Sequence, residues 1–519
     1  MQRRLWIGIT MLMLVLAVFA PMVSSADNVI ILGMEEEPES FDVHKISGGV
    51  GMTIGHLIYD YLIRYGPDGE RLPGLAESWE FSEDATTLTF HLRAGVTFHD
   101  GSKFDAAAVK YNFDRLMDPA TGSPRQRELS NAVVSIETPD NLTVIFNLAK
   151  PDVAFIGYYV GEVTNGAIIS PTAIEKYGDK IASHPVGTGP FKFVSWELGR
   201  RVVLERNEDF WGGAPLPSQI IVRPIPDAST RLVELETGGI HYIYKVEPAQ
   251  MDFIVNDPDL TLYTKPSTSL YGLWFNQNRE PFGDLNVRKA IALAIDVDTI
   301  VEVLGGNAVV RSQGPVPVLN LGHNPNIVEP GYNQAEAKRL LSNSGWALGS
   351  DGVYEKDGQK LEFTILSGDG HNIQDKQISE AAQDQLKQFG IKVSLRIVEH
   401  ALFMSEQMSG NFDMVFLGGW FTDNDPARGP MYLYLGDTQY NVFGFVNEDL
   451  QAAFTTARSV GDFELRKALA WEAQEIINDA VVAVWFYNAN IVAAATSNLK
   501  GYEHNGIGFL RLENVYLAD

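Results

Sequence analysis

Between Leu361 and Leu417 the hydrophobic pattern alternates between short apolar runs and helical spacing. It predicts strand Leu361 to Leu366, helix Gln374 to Phe389 ended by Gly390, strand Ile391 to Val398, helix Ala401 to Ser409 ended by Gly410, and strand Phe412 to Leu417. Two β-α-β units in succession leave few folds open, because they imply a parallel sheet with right-handed crossovers. In such sheets ligands bind beyond the carboxyl ends of the strands. Two loops stand there: Ser367-Gly368-Asp369-Gly370 and Gly418-Gly419-Trp420-Phe421-Thr422-Asp423. Glycines let a ligand approach the backbone, Trp420 offers a flat surface and Asp423 a fixed negative charge. Read locally, Trp420 as a core residue and Asp423 as a turn cap before Pro426 is an equal alternative.

Helical spacing also runs from Val287 to Ile295, after which Asp296 can cap a second helix, Asp298 to Leu304. Asn333 is placed to cap Gln334 to Ser344, which Gly345 ends. Before about residue 270 the signals are those of strands and turns, from Asn28 to Met34 through Val202-Val203-Leu204 and Ile220-Ile221-Val222 to Thr261-Leu262-Tyr263. A hairpin pattern places Leu88, Phe90 and Leu92 on one face, with Ala94-Gly95 as the turn. The glycine-rich stretch 47–51 is no dinucleotide fingerprint, since Ile54 stands where the motif requires glycine. His99 and Asp100 are adjacent on an extended segment, so they point apart and stabilise a turn rather than act as an acid-base pair.

At the N-terminus Arg3 and Arg4 precede an apolar run from Leu5 to Ala20, followed by Ser24-Ser25-Ala26. This pattern is a secretory signal peptide with cleavage expected after Ala26. An uncleaved anchor is the alternative, because the run approaches the roughly 20 apolar residues that span a bilayer. The chain has no cysteine, which excludes disulfides, thiolate metal sites, cysteine nucleophiles and the lipid attachment residue of a lipoprotein. A free periplasmic protein is therefore expected. The net charge of −26 repels nucleic acid and anionic lipid. A hydrophobic fraction of 45% marks an ordinary globular chain. The ten histidines are scattered, and neither H-E-x-x-H nor G-x-S-x-G occurs, which argues against a secreted hydrolase.

Several longer motifs point the same way. Leu75-Ala76-Glu77-Ser78-Trp79-Glu80 leads into the run from Leu88 to Gly101, and Pro185-Val186-Gly187-Thr188-Gly189-Pro190-Phe191 follows. Then come Leu204-Glu205-Arg206-Asn207, Phe210-Trp211-Gly212-Gly213, and Val287-Arg288-Lys289-Ala290 to Asp296. In content, order and spacing these resemble the bacterial family 5 extracellular solute-binding proteins, which include dipeptide, oligopeptide and nickel-complex receptors. The resemblance implies an α/β fold of the periplasmic-binding-protein type II kind, with two lobes, a hinge and an extra inserted domain. Its implied division is signal peptide 1–26, first lobe 27–58, 186–268 and 479–519, inserted domain 59–185, and α/β ligand-binding lobe 269–478. Hinge crossings are expected near Ser269 and Asp479.

The implied role is capture of an oligopeptide-like ligand for the permease of an ATP-binding cassette (ABC) importer, by a monomer that uses no cofactor or metal and is not an enzyme. Oligosaccharide and nickel-complex receptors are the alternatives within the family. In peptide-binding relatives the aspartate of a G-W-x-x-D motif receives the ligand's α-amino group, which maps onto Trp420 and Asp423. The candidate ligand residues are Asp423, Trp420, Gly419, Gly418, Ser367, Trp274, Asn276 and His44. In the strand from Leu273 to Gln277, alternation puts Trp274 and Asn276 on one face, assigned to the ligand, and Leu273 and Phe275 on the core face. Two departures stand out. Dipeptide receptors carry an arginine in the first loop, whereas 367–372 here has none, which speaks against dipeptide specificity. Ala108 replaces the family's usual aspartate in a helix away from the cleft, a structural change.

Overall fold

One strand of 14 residues, Ala483–Thr496, runs through the centre of the molecule. Its β-branched, aromatic and small side chains are buried on both faces, so it shows no alternation of polar and apolar positions. The structure is a computed structural model that describes residues 28–162, 165–370, 373–420, 424–426, 433–435 and 441–518. The long strand belongs to a 12-stranded sheet. Its first half pairs antiparallel with Ser269–Phe275, and its second half with Tyr242–Tyr244 and Leu260–Pro266. The chain thus passes between the halves of the sheet twice: at 267–268, and inside the long strand around Asn488, beyond Asp479. Asn488 donates to the carbonyl of Ser269 at 2.9 Å, and Ser267 Oγ donates to the carbonyl of Ala489 at 2.7 Å, so the two crossings are bonded to each other.

On one side of the crossings lies the α/β half. Strand Glu362–Gly368 pairs in parallel with both Lys392–Val398 and Met414–Trp420, so both β-α-β units are present. Gly390 and Gly410 end the intervening helices with φ of 106° and 68°, a conformation that favours glycine. Asp296 and Asn333 cap their helices as expected, accepting from Thr299 N and Glu336 N, each at 3.1 Å. The sheet here is mixed, because Ser269–Phe275 joins Met414–Trp420 antiparallel.

On the other side Val29–Met34 runs parallel to Gln219–Pro224 and to Tyr242–Tyr244. Ile30, Leu32 and Met34 point into one core, against Ile54, Leu57 and Ile58 of helix Gly49–Ile58. A further core is built on a four-stranded antiparallel sheet, ordered Ala76–Phe81, Thr87–Leu92, Thr143–Leu148, Val133–Asp140. Leu88, Phe90 and Leu92 face Val109, Phe113 and Leu116 of helix Ala106–Met117, as the hairpin pattern predicts. Ala108 is buried in the first turn of that helix.

Candidate functional site

The parallel strands Glu362–Gly368 and Met414–Trp420 are neighbours in the sheet, and the site expected from the sequence lies at their carboxyl ends. The first loop folds back onto the helix that follows. Asp375, fully buried, accepts from Gly370 N at 3.0 Å and Lys376 N at 2.9 Å. Ser379 Oγ donates to the Asp375 carbonyl at 2.8 Å and to Ser367 Oγ at 3.0 Å. The strand Met414–Trp420 continues through Gly418, Gly419 and Trp420, which the sequence pattern assigns to the loop, and its two glycines stand in different surroundings. A Cβ at Gly418 would lie 1.7 Å from Cδ1 of Tyr271, whereas a Cβ at Gly419 would meet no atom of the described residues within 4 Å. Gly418 thus makes room for an aromatic ring, and no described residue crowds Gly419. The Trp420 backbone pairs with Ser269. Residues 421–423, and with them Asp423, lie outside the described residues.

Behind Gly418 stands a tyrosine pair that the sequence reading missed. Tyr271 and Tyr487 stack with ring centroids 4.7 Å apart, and Tyr487 Oη donates to the carbonyl of Ile373 at 2.7 Å. Burial pushes the Tyr271 phenol up to about 12 and the Tyr487 phenol further, so both remain neutral donors. The signal was a large aromatic in Ser-Leu-Tyr-Gly directly opposite a glycine, Tyr271 facing Gly418 across the strands. Beside the pair, Asn488 Oδ1 and Thr268 Oγ1 are buried without a hydrogen-bond partner among the described residues.

Four sequence candidates have other roles. Trp274 is fully buried among Leu270, Val415 and Phe443, and its Nε1 donates to Tyr434 Oη at 2.6 Å. Asn276, 2% exposed, donates to the carbonyls of Gly410 and Phe412 at 3.1 and 2.9 Å. The expected ligand face of this strand is therefore core: Ser269–Phe275 is buried on both sides, and alternation there separates two cores. Ser367 is fully buried, with Oγ bonded to the Asp375 carbonyl and to Ser379. His44 is also fully buried, with Nε2 on the Ala167 carbonyl at 2.9 Å and Nδ1 accepting from Arg115 at 2.8 Å. Both rings of bonds close within the fold and leave no group for a ligand. Among the described residues no cluster of three or more His, Asp or Glu could hold a metal ion.

The model of bacterial extracellular solute-binding proteins, family 5 (middle), matches residues 70–442. The chain belongs to this family. Among its curated relatives is the glutathione-binding protein GsiB of Pectobacterium atrosepticum, 28% identical over 514 residues and covering 96% of each chain. Among solved structures is the periplasmic binding protein DppA of Helicobacter pylori in complex with the peptide STSA, with 26% identity and a TM-score of 0.73 over 95% of this chain and 98% of that one. HbpA2 of Haemophilus parasuis shares the fold at a TM-score of 0.86 and 23% identity, over 95% and 100% of the two chains. The family 5 resemblance and the type II periplasmic-binding-protein fold expected from the sequence are both borne out. Several family 5 motif residues are structural here. Trp211 Nε1 and Thr188 Oγ1 donate to buried Asp60 at 2.7 and 3.2 Å, and a Cβ at Gly187 would fall 2.2 Å from the Ile58 carbonyl oxygen. Asp100 accepts from Ser102 N at 2.9 Å and Ser170 Oγ at 2.7 Å, and His99 Nε2 bonds the Gly189 carbonyl at 2.9 Å, so this pair serves the turn and its docking.

Proposed function

We propose that the protein is the periplasmic receptor of an ABC importer, and that it encloses a peptide-like ligand between its lobes by hinge closure. Family 5 membership carries this reading. It is supported by relatives at 28% and 26% identity, matched over nearly their whole length, that are named for glutathione and solved with a tetrapeptide. Asp423 pairs with the ligand's ammonium group, Trp420 packs against it, and the Gly418-Gly419 backbone lies alongside. The sequence from Ser367 to Asn372 contains no arginine, so the ligand carboxylate is not clamped there. The protein binds and releases rather than turns over, acts as a free monomer after loss of residues 1–26, and hands its ligand to the permease. The lobes divide as 27–58, 186–268 and 479–519 against 269–478, with 59–185 as the inserted domain.

A shift of the closure equilibrium from 1:99 to 99:1 requires about 5.5 kcal/mol of differential affinity, much of the roughly 8 kcal/mol of a micromolar complex. A charge-assisted bond at Asp423 is one of few contacts that can contribute 1.5–3 kcal/mol alone. The test is mass spectrometry of ligand retained through mild purification, followed by calorimetry with reduced glutathione and with Ser-Thr-Ser-Ala. Asp423→Asn should weaken binding by roughly 10- to 150-fold, and C-terminal amidation should change little. Retention of a non-peptide ligand, with no heat from either peptide, would overturn the proposed ligand class. Steady peptide hydrolysis would overturn the receptor reading.

A further inference from the structure

The four-stranded region is held by its two neighbours in different ways. It enters from and returns to the half of the sheet that contains Val29–Met34, and its bonds to that half are many and buried. Arg115 donates to both oxygens of Asp42 at 2.9 and 2.6 Å, and Arg511 pairs with buried Glu162 at 2.5 Å. Asn165 donates to the carbonyls of Val43 and Ile46 at 2.5 and 2.6 Å. To the α/β half it is joined by no stretch of chain, and among the described residues its polar contacts gather at two points.

At the first point Arg71 donates to Asp425 Oδ2 at 2.7 Å, while Arg466 of helix Phe463–Asp479 holds the other carboxylate oxygen. Next to it Asn424 Nδ2 donates to the carbonyl of Gly69 at 3.1 Å, so closely that a Cβ at Gly69 would fall 1.9 Å from that nitrogen. At the second point Arg458, at the end of helix Glu448–Ser459, donates through Nε to Asp152 at 3.1 Å, and its carbonyl accepts from Val153 N at 2.9 Å.

We propose that these two points form a clasp: the four-stranded region travels with the sheet half, and Arg71–Asp425 and Asp152–Arg458 are made only when the lobes are closed. Asp425 is then a positioning residue, two places along the chain from Asp423. The charges are arranged for reversible use. When Arg71 leaves, Asp425 keeps Arg466, whose side chain is 5% exposed, so no buried carboxylate is stranded. Arg71, with 20% of its side chain exposed, returns to water easily. Asp152 likewise keeps the amide of Ala154, at 3.1 Å. A contact present in one state and absent from the other must bias the equilibrium, and with it the apparent affinity of any ligand that selects the closed state.

The consequence for affinity rests on the receptor reading above; the clasp itself does not. The chain has no cysteine, so Glu83→Cys and Lys338→Cys, both at exposed positions on the two sides, give a clean pair for spin labels. Without added ligand, Arg71→Ala and Arg458→Ala should each lengthen and broaden the interlabel distance distribution, and the double variant should do so further. Arg71→Lys should restore part of the short distance, and the melting temperature of Arg71→Ala should stay near that of the parent. Distributions unchanged in both single variants and the double variant would overturn the clasp. In calorimetry with reduced glutathione, Arg71→Ala should lose roughly ten-fold in affinity, the scale of one charged hydrogen bond. Unchanged affinity in a variant whose distances had lengthened would overturn the coupling to binding. No binding of glutathione or Ser-Thr-Ser-Ala to the parent would count against the ligand class alone.

Discussion

The indole nitrogen of Trp274 donates to the hydroxyl of Tyr434 at 2.6 Å, and both side chains are fully buried. Trp274 also meets Trp485 edge-on, with ring centroids 5.3 Å apart. Trp274→Ala should therefore destabilise the ligand-free protein by about 3–5 kcal/mol, the scale of a large aromatic removed from a core. Tyr434→Phe should cost about 1–3 kcal/mol, because it leaves the indole N–H buried and unpaired. Denaturant midpoints of the three proteins check both figures. A stable Trp274→Ala variant would return this residue to the cleft.

The strand that carries Trp274 shows where local reading fails. Alternation assigns faces correctly, but it names the solvent or ligand side only when one face is open, and Ser269–Phe275 is covered on both. The partners of Asn276 are carbonyls at Gly410 and Phe412, far along the chain and invisible to a local pattern. The β-α-β units were legible because their apolar runs are bounded by Gly390 and Gly410, whose positive φ ends each helix. The motif at Gly187, Thr188 and Trp211 was legible as a resemblance, while its physical reason, a shared approach to Asp60 and Ile58, needed the fold.

A pH dependence follows from buried His44 and half-buried His99. Burial strips the His44 imidazolium of water and neighbouring Arg115 repels it, so its pKa falls to about 4, against the pull of the Ala167 carbonyl and Asp42. Burial likewise takes His99 down to about 4. In the unfolded chain both rings take up a proton near pH 6.5. Their contribution to stability is complete above that pH and is lost as pH falls from 6.5 toward 4. Asp42 acts at lower pH: burial raises its pKa, Arg115 outweighs this, and its contribution disappears only as pH falls below the usual carboxylate range. His44→Gln can keep both hydrogen bonds without titrating. It should flatten the slope of stability against pH by about 1.4 kcal/mol per unit between pH 6 and 4.5, one proton's worth. Denaturation at a series of pH values measures that slope, and an unchanged slope would mean that His44 is protonated in the fold.

Gly418 and Gly419 are neighbours on one strand, and their substitution should separate folding from binding. A methyl at Gly418 would fall 1.7 Å from the Tyr271 ring, which is stacked on Tyr487 and cannot move without breaking that pair. Gly418→Ala should destabilise by about 1–3 kcal/mol, as overpacking of a close-packed site does. At Gly419 a methyl meets no atom of the described residues within 4 Å, so Gly419→Ala should leave the denaturation midpoint of the ligand-free protein within about 0.5 kcal/mol of the parent. It would nevertheless stand between an incoming ligand and the backbone at the end of the strand. Reduced affinity for whichever peptide the parent retains, with stability unchanged, is the expected result for Gly419→Ala. Calorimetry paired with thermal denaturation reads both quantities, and full affinity in Gly419→Ala would show that the ligand does not approach this backbone.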